Sequence, residues 1–132
     1  MASELKVDKF TGVTTAGSIS VTGEGNSTTT NLQQGLAKVW VNINADGAGT
    51  ADTFNISSIT DTATGRRGVV FSNAMGNANY SLSIASGSGN ARILLCDNDR
   101  TTTLSNIAVY TKGDTNSYAD DITFFQAFGD LA

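Results

Sequence analysis

An all-β fold is what this sequence predicts: an antiparallel β-sandwich of about seven to eight short strands, preceded by an extended N-terminal arm. Three observations predict it. Apolar and polar residues alternate in short runs, and no stretch keeps the 3.6-residue period of a helix. Clusters of small polar residues separate the runs, as turns between strands require. Gly, Ser, Thr and Asn account for 57 of the 132 residues, which leaves Ala, Leu, Glu and Lys too sparse for helices to dominate. Disorder would need high net charge and few aromatics, whereas the net charge is −4 and ten aromatic residues recur along the chain.

The arm comes first and covers residues 1–34. ELKVDKF is a short amphipathic segment, and TGVTTAGSISVTGEGNSTTT follows it with few large apolar side chains. Within it SISV alternates in the manner of a brief strand. A segment with so few anchors makes no core of its own and is ordered only against something else, sister chains or a partner protein, or not at all.

The domain occupies residues 35–132. AKVWVNIN places Val39, Val41 and Ile43 on one face and Lys38, Trp40, Asn42 and Asn44 on the other. ADGAGTAD reads as a loop, and TFNISSI, GVVFS, ANYSLSIA, ARILLC, NIAVYTK and DITFFQAF read as the following strands. The pieces TDTATGRRG, SGSGN, DNDRTTT and KGDTNSYAD read as the connections. FSNAMGNANY is a crossover of small residues between two strands. In NYSLSIAS the apolar set is Tyr80, Leu82 and Ile84, with Ser81 and Ser83 facing water. The chain has no proline, so no strand edge is blunted by one, and an uncovered edge invites pairing with another chain.

Composition excludes several function classes. The eight Lys and Arg residues are spread thinly and make no basic stripe for nucleic acid. No run of about 20 apolar residues spans a membrane, and the N-terminus lacks the apolar core of a secretory signal. Cys96 is the single cysteine, so a disulfide within the chain is impossible. A domain of this size buries only about 60–65% of its unfolded surface, and oligomerisation is the remaining common way to stabilise it.

Equipment for chemistry is scarce, and no enzyme, cofactor or metal site is expected. Histidine is absent, which removes the commonest general base and metal ligand. Cys96 ends the apolar run RILLC and reads as a buried structural thiol. Asp97 and Asp99 form an acidic pair, but DNDRTTT lacks the glycine and distal Glu of a calcium loop. Asp120 and Asp121 precede a strand and read as turn caps; pairing them with Asp97 or Asp99 for glycoside cleavage is the low-ranked alternative. Arg66 and Arg67 fall at a hairpin tip and, with Arg92 and Arg100, read as solvated. Trp40, Tyr110 and Tyr118 are either core and interface filling or platforms for sugar stacking. Phe124, Phe125 and Phe128 put rings on both faces of one strand, so that strand is either buried on both sides or packs one face across a symmetry axis.

The order of GLAKVWVNINADGAG, FNISSITDTATG, VVFSNAMGNANY and NIAVY resembles a C-terminal β-module of tail-fibre and related appendage proteins of tailed bacteriophages, many of them marine or cyanobacterial. ELKVDKFTG is similar to the opening of short phage virion proteins. The resemblance covers about two-thirds of the chain and departs from the pattern at GRRG. It implies a homotrimeric, non-enzymatic virion protein, a tail fibre or appendage displaying its β-domain for host adsorption. Its localisation would be the virion and its partners other virion proteins and a host-surface glycan or protein. In that reading Leu5, Val7 and Phe10 attach to the particle, Phe124, Phe125 and Phe128 meet at the trimer interface, and Arg66, Arg67 and Tyr118 lie on displayed loops. The absence of a repeat or coiled-coil shaft raises the alternative of a capsid decoration or cement protein.

Overall fold

The computed structural model describes residues 4–13, 19–23, 28–46, 49–87, 92–96, 100–111 and 117–132. The chain divides after Leu36 into two units, Met1–Leu36 and Ala37–Ala132.

In the first unit, β1 (Ser20–Thr22) pairs antiparallel with β2 (Thr29–Asn31), and the single turn α1 (Leu32–Gly35) follows. The Gly23 amide donates to the Thr28 carbonyl and the Leu32 amide to the Ile19 carbonyl, both at 2.9 Å. Among the described residues of this unit no apolar side chain is buried. That follows from its composition, since Thr and Ser supply hydrogen bonds but little area to remove from water.

The second unit is all-β. Among its described residues the strands are β3 (Ala37–Ile43), β4 (Thr50–Phe54), β5 (Ile56–Ala63), β6 (Arg66–Phe71), β7 (Ser81–Ser86), β8 (Arg92–Cys96), β9 (Leu104–Thr111), β10 (Ser117–Tyr118) and β11 (Thr123–Phe128). They form two antiparallel sheets. One runs β4-β3-β11-β7, and the other runs β10-β9-β6-β5 with β8 also on β9. The register of β8 on β9 overlaps those of β6 and β10. So β6 and β10 lie end to end along one edge of β9, and β8 takes the other.

Between the sheets lies the core. Val39, Val41 and Ile43 from β3 and Phe125 and Ala127 from β11 meet Val69 and Phe71 from β6 and Ile107 from β9. The Phe71 ring stands edge-on to Tyr80 at 5.7 Å and tilted against Phe125 at 6.4 Å, so one ring touches the other sheet at two points. Met75, in the crossover FSNAMGNANY, is also fully buried. Its amide donates to the Thr102 carbonyl at 2.7 Å, and it bridges to Leu131 near the end of the chain.

Two connections differ from the sequence reading. TFNISSI is not one strand: β4 ends at Phe54, β5 begins at Ile56, and the chain changes sheets at Asn55. Asn55 makes this possible by taking φ of 60°, a left-handed conformation that asparagine tolerates better than most residues. Its side-chain amide donates to the carbonyls of Lys38 and Asn73, and its Oδ1 accepts from the Asn73 backbone and side chain at 2.8 Å. The crossover FSNAMGNANY is thereby fastened to the corner where the sheets exchange the chain. The second difference is TDTATGRRG, which is mostly strand: β5 and β6 run on to Ala63 and Arg66, leaving Thr64 and Gly65 as the turn.

Asn55→Ala should lower unfolding stability by about 3 kcal/mol, through a left-handed alanine and lost hydrogen bonds, while Asn55→Gly should cost clearly less. Urea unfolding of the full chain followed by tryptophan fluorescence measures both, and equal losses would contradict the backbone assignment.

Candidate interaction surfaces

The residues singled out from the sequence fall into three places. Arg67 is not solvated. It is 1% exposed, because residues 67, 69 and 71 of β6 alternate toward the interior and the hairpin turn comes earlier than the GRRG motif suggested. Its Nη1 donates to the Asp121 carbonyl at 2.7 Å and to Thr123 Oγ1 at 2.9 Å, and its Nη2 reaches the Ala45 carbonyl at 3.3 Å. A displayed contact role is therefore excluded for Arg67. Its Nη2 also lies 3.7 Å from Asp120 Oδ1.

The two aspartates do more than cap a turn. Asp120 Oδ1 accepts from the Gly65 amide at 2.7 Å. Gly65 sits at φ of 65°, and a Cβ there would come within 2.6 Å of the Val109 carbonyl oxygen, so only glycine lets this turn close against β9. Asp121 forms an ion pair with Arg92 Nε at 2.8 Å and accepts from Ser86 Oγ at 2.9 Å and from the Ile122 amide at 2.8 Å. Arg92 is thus also paired rather than solvated. Burial pushes the Asp121 carboxyl up, but the bonds from Arg92, Ser86 and the Ile122 amide outweigh it and hold the group below the usual carboxylate range. Arg100 is exposed, yet it too is engaged: its guanidinium lies 5.7 Å from the Tyr80 ring and donates to the Tyr80 carbonyl at 3.0 Å.

Cys96 departs from its sequence reading as well. It is exposed at the end of β8, because β8 pairs only with β9 among the described residues and lies away from the centre of the core. Asp97 and Asp99 lie outside the described residues. Among the described residues no group of three His, Cys, Asp or Glu side chains could hold a metal ion, and no helix is long and apolar enough to cross a membrane.

The outer faces of the two sheets differ in chemistry. On β11, Phe125 is 1% exposed and packs in the core of the single chain rather than on its outer face. Phe124 points the other way at 42% exposure, and Phe128 on the same face is half-buried. Trp40 shares that face, opposite Phe54 on β4 and Gln126 on β11. On the other sheet, Tyr118 of β10 pairs with Tyr110 of β9, the rings edge-on at 5.3 Å. The Arg66 guanidinium lies 4.5 Å from the Tyr118 ring centre and donates to its hydroxyl at 2.6 Å. Ile93 and Leu95, both exposed, continue this surface onto β8.

The third place is the arm. Leu5 at 74% and Phe10 at 61% exposure, with Val7 and Val13, stand in water along a segment without strand or helix in residues 4–13. Leu5, Val7 and Phe10 could be found by their spacing; the outer Trp40–Phe124 face could be found by period-two alternation, and the Arg67–Asp121 cluster by no local signal.

Arg67→Ala should destabilise the second unit by about 3 kcal/mol, through the cavity left by a fully buried side chain and the loss of its bonds to the Asp121 carbonyl and Thr123 Oγ1. The Asp121 carboxyl is lower in the folded chain than in the unfolded one, so its contribution is complete above about pH 4 and is lost as pH falls through the folded value. Urea midpoints between about pH 5 and pH 2.5 should fall less steeply for Asp121→Asn than for the parent chain; parallel curves would remove Asp121 from the account of acid unfolding.

No protein-family model matches this chain, no curated protein matches it, and no solved structure matches its fold.

Proposed function

We propose that this chain is a homotrimeric structural protein of a tailed-phage particle, a tail fibre or appendage that displays its β-unit for adsorption to the host. The observation that carries the reading is the arm. Leu5, Val7, Phe10 and Val13 are exposed over ten residues that form no strand or helix, whereas the unit from Ala37 onward has a core entirely its own. Apolar side chains spaced along an extended segment gain nothing in water and gain free energy when a partner covers them. An attachment segment joined to an independently folded module is what an appendage requires, and the resemblance of both parts to virion proteins supports a virion protein as that partner.

In this reading Arg66 and Tyr118 offer a cation and aromatic surface on the displayed unit, suited to a polar host-surface ligand. Many copies of a weak contact on one particle would raise avidity by about 10²–10⁴.

Immunogold labelling of intact particles, with antibody raised against residues 35–132, tests the assignment. Gold confined to the tail or to one vertex is expected. Gold over the whole head would instead make the chain a capsid decoration protein, and particles without gold would end both readings. Deleting residues 1–34 should leave the β-unit folded but absent from particles, checked by circular dichroism and by blotting purified virions; normal incorporation would refute the role of Leu5, Val7 and Phe10.

A further inference from the structure

We propose that Arg66, Tyr118 and Tyr110 form a binding site for an acidic saccharide, a sugar ring that carries one carboxylate. This deepens the displayed-surface part of the function proposed above and rests on it only for where the sugar is met.

Strand register assembles the site. β6 and β10 meet end to end at Val109 of β9, whose amide donates to the Gly65 carbonyl at 2.7 Å and whose carbonyl accepts from the Ala119 amide at 3.1 Å. Arg66 therefore stands opposite Ala108 and Tyr118 opposite Tyr110. The two side chains share the outer face although they are 52 residues apart in the chain. The Arg66 guanidinium lies over the Tyr118 ring, 4.5 Å from its centre, and Nη2 donates to the hydroxyl at 2.6 Å. Tyr110 in turn props the Tyr118 ring edge-on at 5.3 Å. A long side chain that would otherwise sample many rotamers is thus held in place before a ligand arrives, which lowers the entropic cost of binding.

The stack sets the chemistry of the ligand. A guanidinium laid on a ring directs its N–H bonds outward in its own plane, where a carboxylate accepts two of them in parallel. Arg66 is exposed, and among the described residues of this outer face it is the only charged one. The neighbouring carboxylates belong to the other side of the sheet: Asp61 is registered with the inward-facing Arg67, and Asp120 Oδ1 accepts from the Gly65 amide and lies beside Arg67. One cation matches one carboxylate, whereas a nucleic acid or polyphosphate would need several. Beside the charge the surface turns apolar, since Ile93, 39% exposed, stands opposite Tyr110 on β8. A guanidinium, a tyrosine hydroxyl and an apolar flank on one flat face fit a ligand with an anionic group, hydroxyls and a C–H face, which is an acidic sugar.

An NMR titration of the full-length chain with methyl glucuronide tests this. The comparisons are sodium acetate and methyl glucoside, in which a hydroxymethyl group replaces the carboxylate. The glucuronide should shift the Arg66 and Tyr118 signals and bind about tenfold tighter than either comparison. Arg66→Gln should weaken it about tenfold, and Arg66→Lys, which keeps the charge but not the fork, should weaken it less. Tyr118→Leu should bring the glucuronide down to the level of acetate. Thermal melts establish that each variant is folded. A glucuronide that leaves Arg66 unshifted, binds no better than glucoside or acetate, or ignores Arg66→Gln overturns the proposal. Gold on the tail without glucuronide binding would refute this ligand and leave the appendage reading standing. Glucuronide binding without gold on particles would support the site and end that reading.

Discussion

The buried guanidinium of Arg67 is the constraint on which the β-unit turns. Desolvating a guanidinium between two sheets costs several kcal/mol; here both Nη groups find acceptors, while Nε is buried without one. Arg67 comes from β6 in one sheet, and its acceptors are Ala45, just past β3, and Asp121 and Thr123 at the start of β11 in the other. The two sheets can therefore slide past each other only by breaking charge-assisted bonds in a dry place. A well-packed apolar residue could give comparable stability there, but it would make no directional bond from one sheet to the other. Gly65 and Asp120 follow from the same demand. The hairpin must close tightly against β9 for Arg67 to point inward, and the Asp120 carboxylate holds the Gly65 amide while lying beside the guanidinium.

At the other end, the sheets are joined by the chain itself. Asn55 turns β4 into β5 in a single residue, and the same side chain grips Asn73 at the start of the return crossover. Met75 then plugs the core, and Gly76 and Ala132 tie the crossover to the C-terminal segment through the Asp130 and Ala74 carbonyls. The unit is thus clamped by a polar cluster at one end and a backbone corner at the other, with the aromatic contact of Phe71, Tyr80 and Phe125 between them. That arrangement lets a chain with 39% hydrophobic residues and no disulfide hold two sheets together.

Legibility in the sequence divides along the same lines. Wherever one face of a strand is buried, period-two alternation reports it: Val39, Val41 and Ile43 are buried, and Leu82 and Ile84 sit inward of Ser81 and Ser83. Alternation fails where a polar residue faces inward or an apolar one faces water. Arg67 looked solvated because charge ordinarily marks the outside, and its acceptors are 22 to 56 positions away in sequence. Cys96 looked buried because it ends an apolar run, but an edge strand lacks the neighbours that would cover it. Asn55 gave only a weak signal, one turn-tolerant residue between two β-prone ones, and what distinguishes a sheet change from a bulge is its bonding to residue 73.

The outer faces carry a different message from the core. A residue that serves the fold of the single chain is recognisable by what it touches, as Phe125, Arg67 and Asn55 are. Phe124, Phe54 and Leu95 leave large apolar area in water, where each lowers solubility and contributes little to folding. Large apolar side chains on a flat sheet face are the surface feature in which protein interfaces are most enriched. The same reasoning applies to Leu5 and Phe10 in the arm. The polar clusters inside fix the shape of the β-unit, and that fixed shape decides which large side chains stay outside.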